Sequence, residues 1–233
     1  MPKLFLIPIT LGESDIATVI PQNHREIILS ISHFIVENVR TARRFLKKVE
    51  KEIDIDSLTF YELNKHTDKK QLHSYLDPLK QGHPVGIMSE AGCPGVADPG
   101  ADVVRIAHEQ GIPVVPLVGP SSILLAMMAS GMNGQNFAFN GYLPIKKNEK
   151  LREIKRLENR VYSEKQSQVF IEAPYRNQSL LEDFLAACQP HTLLCIACDI
   201  TLESEFIQTK PIIAWKKKLP DIQKRPAIFI LGS

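Results

Sequence analysis

Short apolar runs separated by amphipathic stretches organise the first half of the chain. Runs at 4–9, 33–36, 58–61 and 85–88 have the length of strands. The stretches between and after them predict helices over 23–30, 40–52, 68–81 and 101–110, the last from the spacing of Val103, Val104, Ile106 and Ala107. A further strand runs from 112 until Gly119-Pro120 breaks it, and Ser121 or Ser122 then caps a helix reaching to about residue 129. From residue 137 the pattern changes. Strands are predicted over 137–140, 169–172, 193–197, 205–208 and 227–231, with a basic helix inside 146–165 and an amphipathic helix carrying Leu180, Leu181, Phe184, Leu185 and Cys188.

Strand and helix alternate in the first half, which predicts a mostly parallel sheet. Later strands follow one another with less helix between them, which predicts a mixed or antiparallel sheet. The fold class is therefore α/β with two domains, 1–117 and 118–233, and a ligand cleft expected between them.

One loop in this pattern carries more chemistry than a turn requires. The sequence MSEAGCPGVADPG at 88–100 follows a buried strand and precedes a helix, and it holds three Gly, two Pro and two carboxylates. Open α/β sheets bind ligands at such strand ends, so Glu90 and the backbone around Gly92 are expected to line a pocket. The competing reading is a plain turn, with Asp98 capping the helix and Pro99 in its first turn. The helix start at Ser121 and Ser122 carries the same ambiguity between capping and offering free amides to a ligand.

Composition adds limits. The 233 residues are 44% apolar and 23% charged, ordinary for a globular protein, and the net charge of +2 gives no whole-molecule field. No secretory signal is expected, because Lys3 precedes only a short apolar run interrupted by Pro8. Residues 110–145 lack Asp, Glu, Lys and Arg, but Pro, Gly and Asn cut the segment too often for a membrane span. Four Cys suggest a reducing, cytoplasmic setting. The one CxxC, Cys195 and Cys198, lies on a predicted strand and points to opposite faces, so no metal is expected. No GxGxxG fingerprint follows the first strand.

Six stretches of the chain resemble the motifs of one known family. IPITLGE at 7–13 resembles VPTPIGN, and FIVENVRT at 34–41 resembles a segment containing AEDTR. SEAGCPGVADPG at 89–100 resembles SDAGTPLISDPG, and VPLVGP at 115–120 resembles VPLPGP. GYLP at 141–144 and FIEAPYR at 170–176 resemble GFLP and FYESxHR. These segments resemble the tetrapyrrole methylase superfamily, and within it the branch that 2′-O-methylates a cytidine of small-subunit ribosomal RNA, which implies S-adenosylmethionine as methyl donor and a homodimer. Carried over by position, the resemblance implies cofactor contacts from Thr10, Leu11, Glu90, Val96, Ser121 and Ser122, beside the Gly92 backbone singled out above, with Ile171 or Glu172 and Ala197 contributing from the second domain. The chain departs from the branch where Glu90 replaces Asp, Thr10 replaces Pro and Asn38-Val39 replace Asp-Thr. KRPAIF at 224–229 also lacks the KGE that precedes the branch's last strand.

Methyl transfer is mainly a matter of positioning donor and acceptor and excluding water. A ribose hydroxyl still benefits from a base. Glu37 is the candidate, with Arg40 steering a neighbouring phosphate, against the reading of a solvated carboxylate and a surface Arg near a helix start. Three basic stretches could meet RNA or merely solubilise the surface: 40–51, 146–165 with eight Lys or Arg against four Glu, and 216–225. Three functions follow: a ribose methyltransferase acting on ribosomal RNA, a methylase of a tetrapyrrole or other small molecule, and a non-catalytic binding module.

Overall fold

The structure, a computed structural model, describes residues 2–64 and 66–233. It forms two compact units, Met1–Ser121 and Ser122–Ser233.

In the first unit the strands are β1 (Leu4–Leu6), β2 (His33–Val36), β3 (Thr59–Glu62), β4 (Val85–Met88) and β5 (Val114–Pro116). They make a wholly parallel sheet in the order β3-β2-β4-β1-β5. The helices are α1 (Ile16–Val19), α2 (His24–Leu29), α3 (Val39–Val49), α4 (Asp77–Lys80) and α5 (Gly100–Glu109). Central β4 is buried at all four positions, as its unbroken apolar sequence requires when both faces are covered. One face carries Leu72, Leu76, Leu79, Val103 and Ile106 against Leu4, Ile35 and Ile87. The other packs Ile28, Ala42, Phe45 and Leu46 against Ile7, Phe34 and Met88. Pro116 ends an edge strand, where its missing donor breaks no ladder.

The helix expected over 68–81 is divided. A 3-10 turn covers Lys69–Leu76, and α4 starts anew with Pro78 in its first turn. Proline is accommodated there but not inside a continuous helix, which accounts for the break.

The second unit holds β6 (Phe137–Gly141), β7 (Ser167–Ile171), β8 (Leu193–Cys198), β9 (Phe206–Pro211) and β10 (Ala227–Gly232) in the order β6-β7-β10-β8-β9. Only β6 and β7 are parallel, so the sheet is mixed, in agreement with the sequence pattern. Its helices are α6 (Ser122–Ser130), α7 (Lys147–Ser163), α8 (Asn177–Ala187) and α9 (Ile212–Trp215). Ile154, Leu157 and Val161 form the buried stripe of α7 against Leu180, Leu181 and Phe184 of α8. Trp215 donates its indole N–H to the Leu194 carbonyl at 2.9 Å, which satisfies the polar end of the largest core side chain.

The basic run on α7 is partly neutralised in place. Arg156 pairs with Glu153 and Arg160 with Glu164, both one turn apart. Lys150 does not face solvent as the expected cationic surface would require. It is buried with Asp183 at 3.0 Å. Arg225 likewise serves the fold, donating to the Asp199 carboxylate at 2.7 Å and to the Ser204 carbonyl at 2.6 Å. Among the described residues, no helix is long and apolar enough to cross a membrane.

Candidate functional site

Strand order brings three loops of the first unit together. Because β4 lies between β2 and β1 and all three are parallel, their C-terminal ends deliver adjacent segments to one edge. The Ile9 amide donates to the Gly92 carbonyl at 3.0 Å, tying the segment after β1 to the loop after β4. Gly92 has φ +70°, and a Cβ there would meet Leu11 Cδ2 at 3.1 Å and the Pro120 carbonyl oxygen at 3.3 Å. Both backbone freedom and close approach therefore require glycine.

Glu37 leaves the end of β2, immediately before Asn38 caps α3. The Asn38 side chain accepts from the Arg40 amide at 2.9 Å and the Thr41 amide at 3.2 Å. Asn is as good a cap as Asp, so this departure from the family pattern preserves the local geometry. Glu37 Oε2 accepts the Glu90 amide at 3.1 Å. Glu90 Oε1 in turn accepts the Thr41 hydroxyl at 2.7 Å. Burial pushes the Glu37 carboxyl above its ordinary value, opposed by the Glu90 N–H and reinforced by the charges of Asp98 and Glu90. A carboxylate of raised basicity at a strand end has the character of a general base.

Asp98 does more than satisfy the first amide of α5. The N-terminal cap position is Pro99, without a side-chain bond. Asp98 instead accepts from the Gly95 amide at 2.9 Å and the Gly100 amide at 2.7 Å, closing the loop on itself. Burial raises its carboxyl, while these two amides pull the other way. Ala97, at φ +63°, is held in the left-handed region within this clasp.

Thr10, Leu11 and Glu90 line one groove of about 770 Å³, together with Thr41, Arg43, Arg44 and Lys48. Lys48 crosses to Glu13 at 2.6 Å, and this contact holds the Glu13 carboxyl below its ordinary value. Lys47 also lines the groove, but its ammonium is engaged by the Lys51 and Ile53 carbonyls at 2.8 Å each. Arg40 is exposed on the first turn of α3. Val96 is 50% exposed on the loop, and Ser121 ends the first unit.

The second-unit residues are placed differently. Ser122 is the first residue of α6 and Ile171 the last of β7. Ala197 is fully buried in β8 between Ile228 of β10 and Ile207 of β9. Glu172 is buried, and its Oε1 accepts from Arg176 Nε at 2.9 Å, Arg176 Nη2 at 2.5 Å and the Ala173 amide at 2.8 Å. Sequence reasoning did not single out Thr41 or Arg176, nor the role of Asp98 as a loop clasp. A hydroxyl in the turn after Glu37 and an Arg one turn after Glu172 were the available signals.

No family model matches the chain. It is 34% identical over 227 residues to Ribosomal RNA small subunit methyltransferase I of Thermotoga maritima, covering 94% of this chain and 95% of that protein. Against the protein of the same name from Vibrio cholerae it is 30% identical over 217 residues, 92% of this chain and 71% of the relative. Among solved structures, the methyltransferase CobJ matches with a TM-score of 0.67 at 14% identity, covering 100% of this chain and 95% of that one. Uroporphyrin-III C-methyl transferase from Thermus thermophilus, complexed with S-adenyl homocysteine, matches at 0.57 and 16% identity over 99% of this chain and 97% of that one. The structural likeness establishes the two-sheet fold shared with these enzymes. The sequence likeness, extending over nearly the whole of the Thermotoga relative, establishes that the chain belongs to the ribosomal RNA small subunit methyltransferase I family.

Proposed function

We propose that this protein transfers a methyl group from S-adenosylmethionine to a ribose 2′-hydroxyl of small-subunit ribosomal RNA, acting as a homodimer in the cytoplasm. The observation that carries the reading is the shared groove. Thr10, Leu11 and Glu90 occupy it beside the cationic face of α3, and its volume lies in the ordinary range for small-molecule sites. The donor set fits the cofactor. Only one Glu90 oxygen is held, by Thr41, so the carboxylate can accept from an amino or hydroxyl group, and the strand-end loops supply backbone polar groups. Contacts from Val96, Ser121, Ser122, Ile171 or Glu172 and Ala197 rest on the family resemblance, and that of the Gly92 backbone on its place in the loop after β4.

S-adenosylmethionine supplies an electrophilic methyl on a sulfonium. Glu37, with its raised basicity, takes the proton of the attacking hydroxyl, while its bond to the Glu90 amide fixes its orientation. Arg43, Arg44 and Lys48 attract the phosphates, and Arg40 steers the one beside the acceptor. Tritiated methyl incorporation into small ribosomal subunits from cells lacking the protein tests the reading. Label in the ribose of that RNA is expected. Label appearing only in a small-molecule fraction would transfer the assignment to a small-molecule methylase, and none anywhere, with cofactor still bound, would indicate a binding module.

A further inference from the structure

A second aromatic and cationic surface lies in the second unit and is not used by the mechanism above. Tyr175 and Tyr142 are 63% and 61% exposed, high values for aromatic side chains. Exposed rings scattered singly are unremarkable, but these two share a neighbourhood. The Arg176 guanidinium lies 5.3 Å from the Tyr175 ring centroid, and Tyr142 is close enough for its hydroxyl to act electrostatically on Arg176.

The cation is fixed. Glu172, with its side chain 2% exposed, takes two Arg176 N–H groups on one oxygen and thereby sets the plane of the guanidinium. The tyrosine backbone is fixed as well. Gln223 Nε2 donates to the Tyr175 carbonyl at 3.2 Å, and the Lys224 amide donates to the Pro174 carbonyl at 3.0 Å. Lys224, exposed and at φ +60°, therefore stands beside the aromatic segment.

An exposed ring on a fixed backbone, beside a planar cation that also donates to its hydroxyl at 3.4 Å and flanked by a lysine, suits an unpaired nucleobase and its phosphate. Any base presents a π-face, and the cations take the backbone charge. We propose that Tyr175, braced by Arg176 and flanked by Lys224, is a stacking platform for an unpaired base of the RNA substrate, with Tyr142 as a second ring. The proposal rests on the reading of RNA as the methyl acceptor. Glu172, besides the cofactor contact proposed for it above, holds the platform's cation in place.

Steady-state methylation of small ribosomal subunits by the full chain tests it, with Tyr175→Ala, Tyr175→Phe and Tyr175→Trp compared. Loss of one stacked base is expected to raise KM for the subunit by about 5- to 100-fold in Tyr175→Ala. The kcat and the affinity for S-adenosylmethionine should stay as in wild type, because Tyr175 is neither the proposed base nor one of the proposed cofactor contacts. Phe should hold KM within about twofold and Trp at or below the wild-type value, since the face and not the hydroxyl carries the contact. Thermal melting checks that each variant is folded. An unchanged KM in Tyr175→Ala overturns the platform. So does an unchanged KM with weakened self-association, which assigns the rings to a surface between copies of the chain. A wild-type protein that methylates no RNA overturns the parent reading and the platform with it, so the two failures are distinguishable.

Discussion

The two units treat their carboxylates in opposite ways. In the first, Glu37, Glu90 and Asp98 converge on one sheet edge, and the bonds they receive come from amides and a hydroxyl. In the second, Asp183, Glu172 and Asp199 are buried and each is answered by a Lys or Arg. Burial raises the Glu37 and Asp98 carboxyls in spite of the amides they accept, whereas the three carboxylates of the second unit are each paired with a cation. The first arrangement suits proton transfer, and the second locks a fold. The contrast holds for these two groups and not for every carboxylate: buried Glu158 of unit two accepts from the Gln189 amide and the Thr192 hydroxyl.

The contrast can be broken at its most reactive point. Glu37→Gln is expected to lower kcat by about 10²- to 10⁴-fold, measured with saturating RNA and cofactor. Because the folded carboxyl is raised, wild-type activity should fall as pH drops through a value above the ordinary carboxylate range, and the variant should lose that limb. Stability should not suffer, since burial already disfavours the charged form. A Gln variant with full kcat would remove Glu37 from the chemistry.

Next in size is the buried pair of the second unit. Asp183→Ala strands Lys150 in an apolar surround and should cost about 3–5 kcal/mol in urea unfolding. The double variant Lys150→Met with Asp183→Leu should recover most of it, because two charges and their desolvation disappear together.

Two glycines sharpen the comparison further. A Cβ on Gly119 would lie 2.3 Å from Pro8 Cβ, while one on Gly232 would lie 2.5 Å from Met132 Sδ. A proline ring cannot step aside and a methionine can. Gly119→Ala should cost about 1–3 kcal/mol and Gly232→Ala under about 1 kcal/mol, read from denaturation midpoints. Equal costs would mean that the loops of unit one yield as readily as the core of unit two.

The smallest effect concerns acid. Burial lowers the His24 and His33 pKa values, with His83 adding to the second shift. The unfolded chain then binds more protons than the folded one between the depressed values and about 6.5. Stability contributed by the neutral rings is present above pH 6.5 and is lost as pH falls through that window. Glu37 and Asp98 act with the opposite sign at lower pH, where their raised values favour the folded state. Urea midpoints at pH 7.5 and 5.5 should show the decline, and His24→Leu should reduce it.

What the sequence disclosed depended on how local the cause was. Strands β2 and β4 were legible to the residue, because strands buried on both faces read as unbroken apolar runs. Helices α1 and α9, four residues each, are too short to show a period. Pro78 marked a helix start inside a stretch that otherwise read as one helix. At the site, the glycine-bearing loop stood out by composition, but the partners of Glu90 lie 49 and 53 positions away and left no local trace. Glu172 shows the converse. Its motif suggested a ligand contact, whereas its burial beside Arg176 is a tertiary fact that spacing alone does not express.

The bonds from Glu90 to Thr41 and Glu37 also bear on how the molecule is made. Contacts between residues 49 and 53 positions apart require a long stretch of chain to close before they can form, and such closures slow folding. On a ribosome, α3 emerges well before β4, so its cationic face is exposed to nucleic acid while the carboxylate partner is still unmade. On the proposed reading, the Glu37–Glu90 contact is thus made late in the biogenesis of the first unit, and a nascent chain cut short before Glu90 would carry the cations of α3 without that contact.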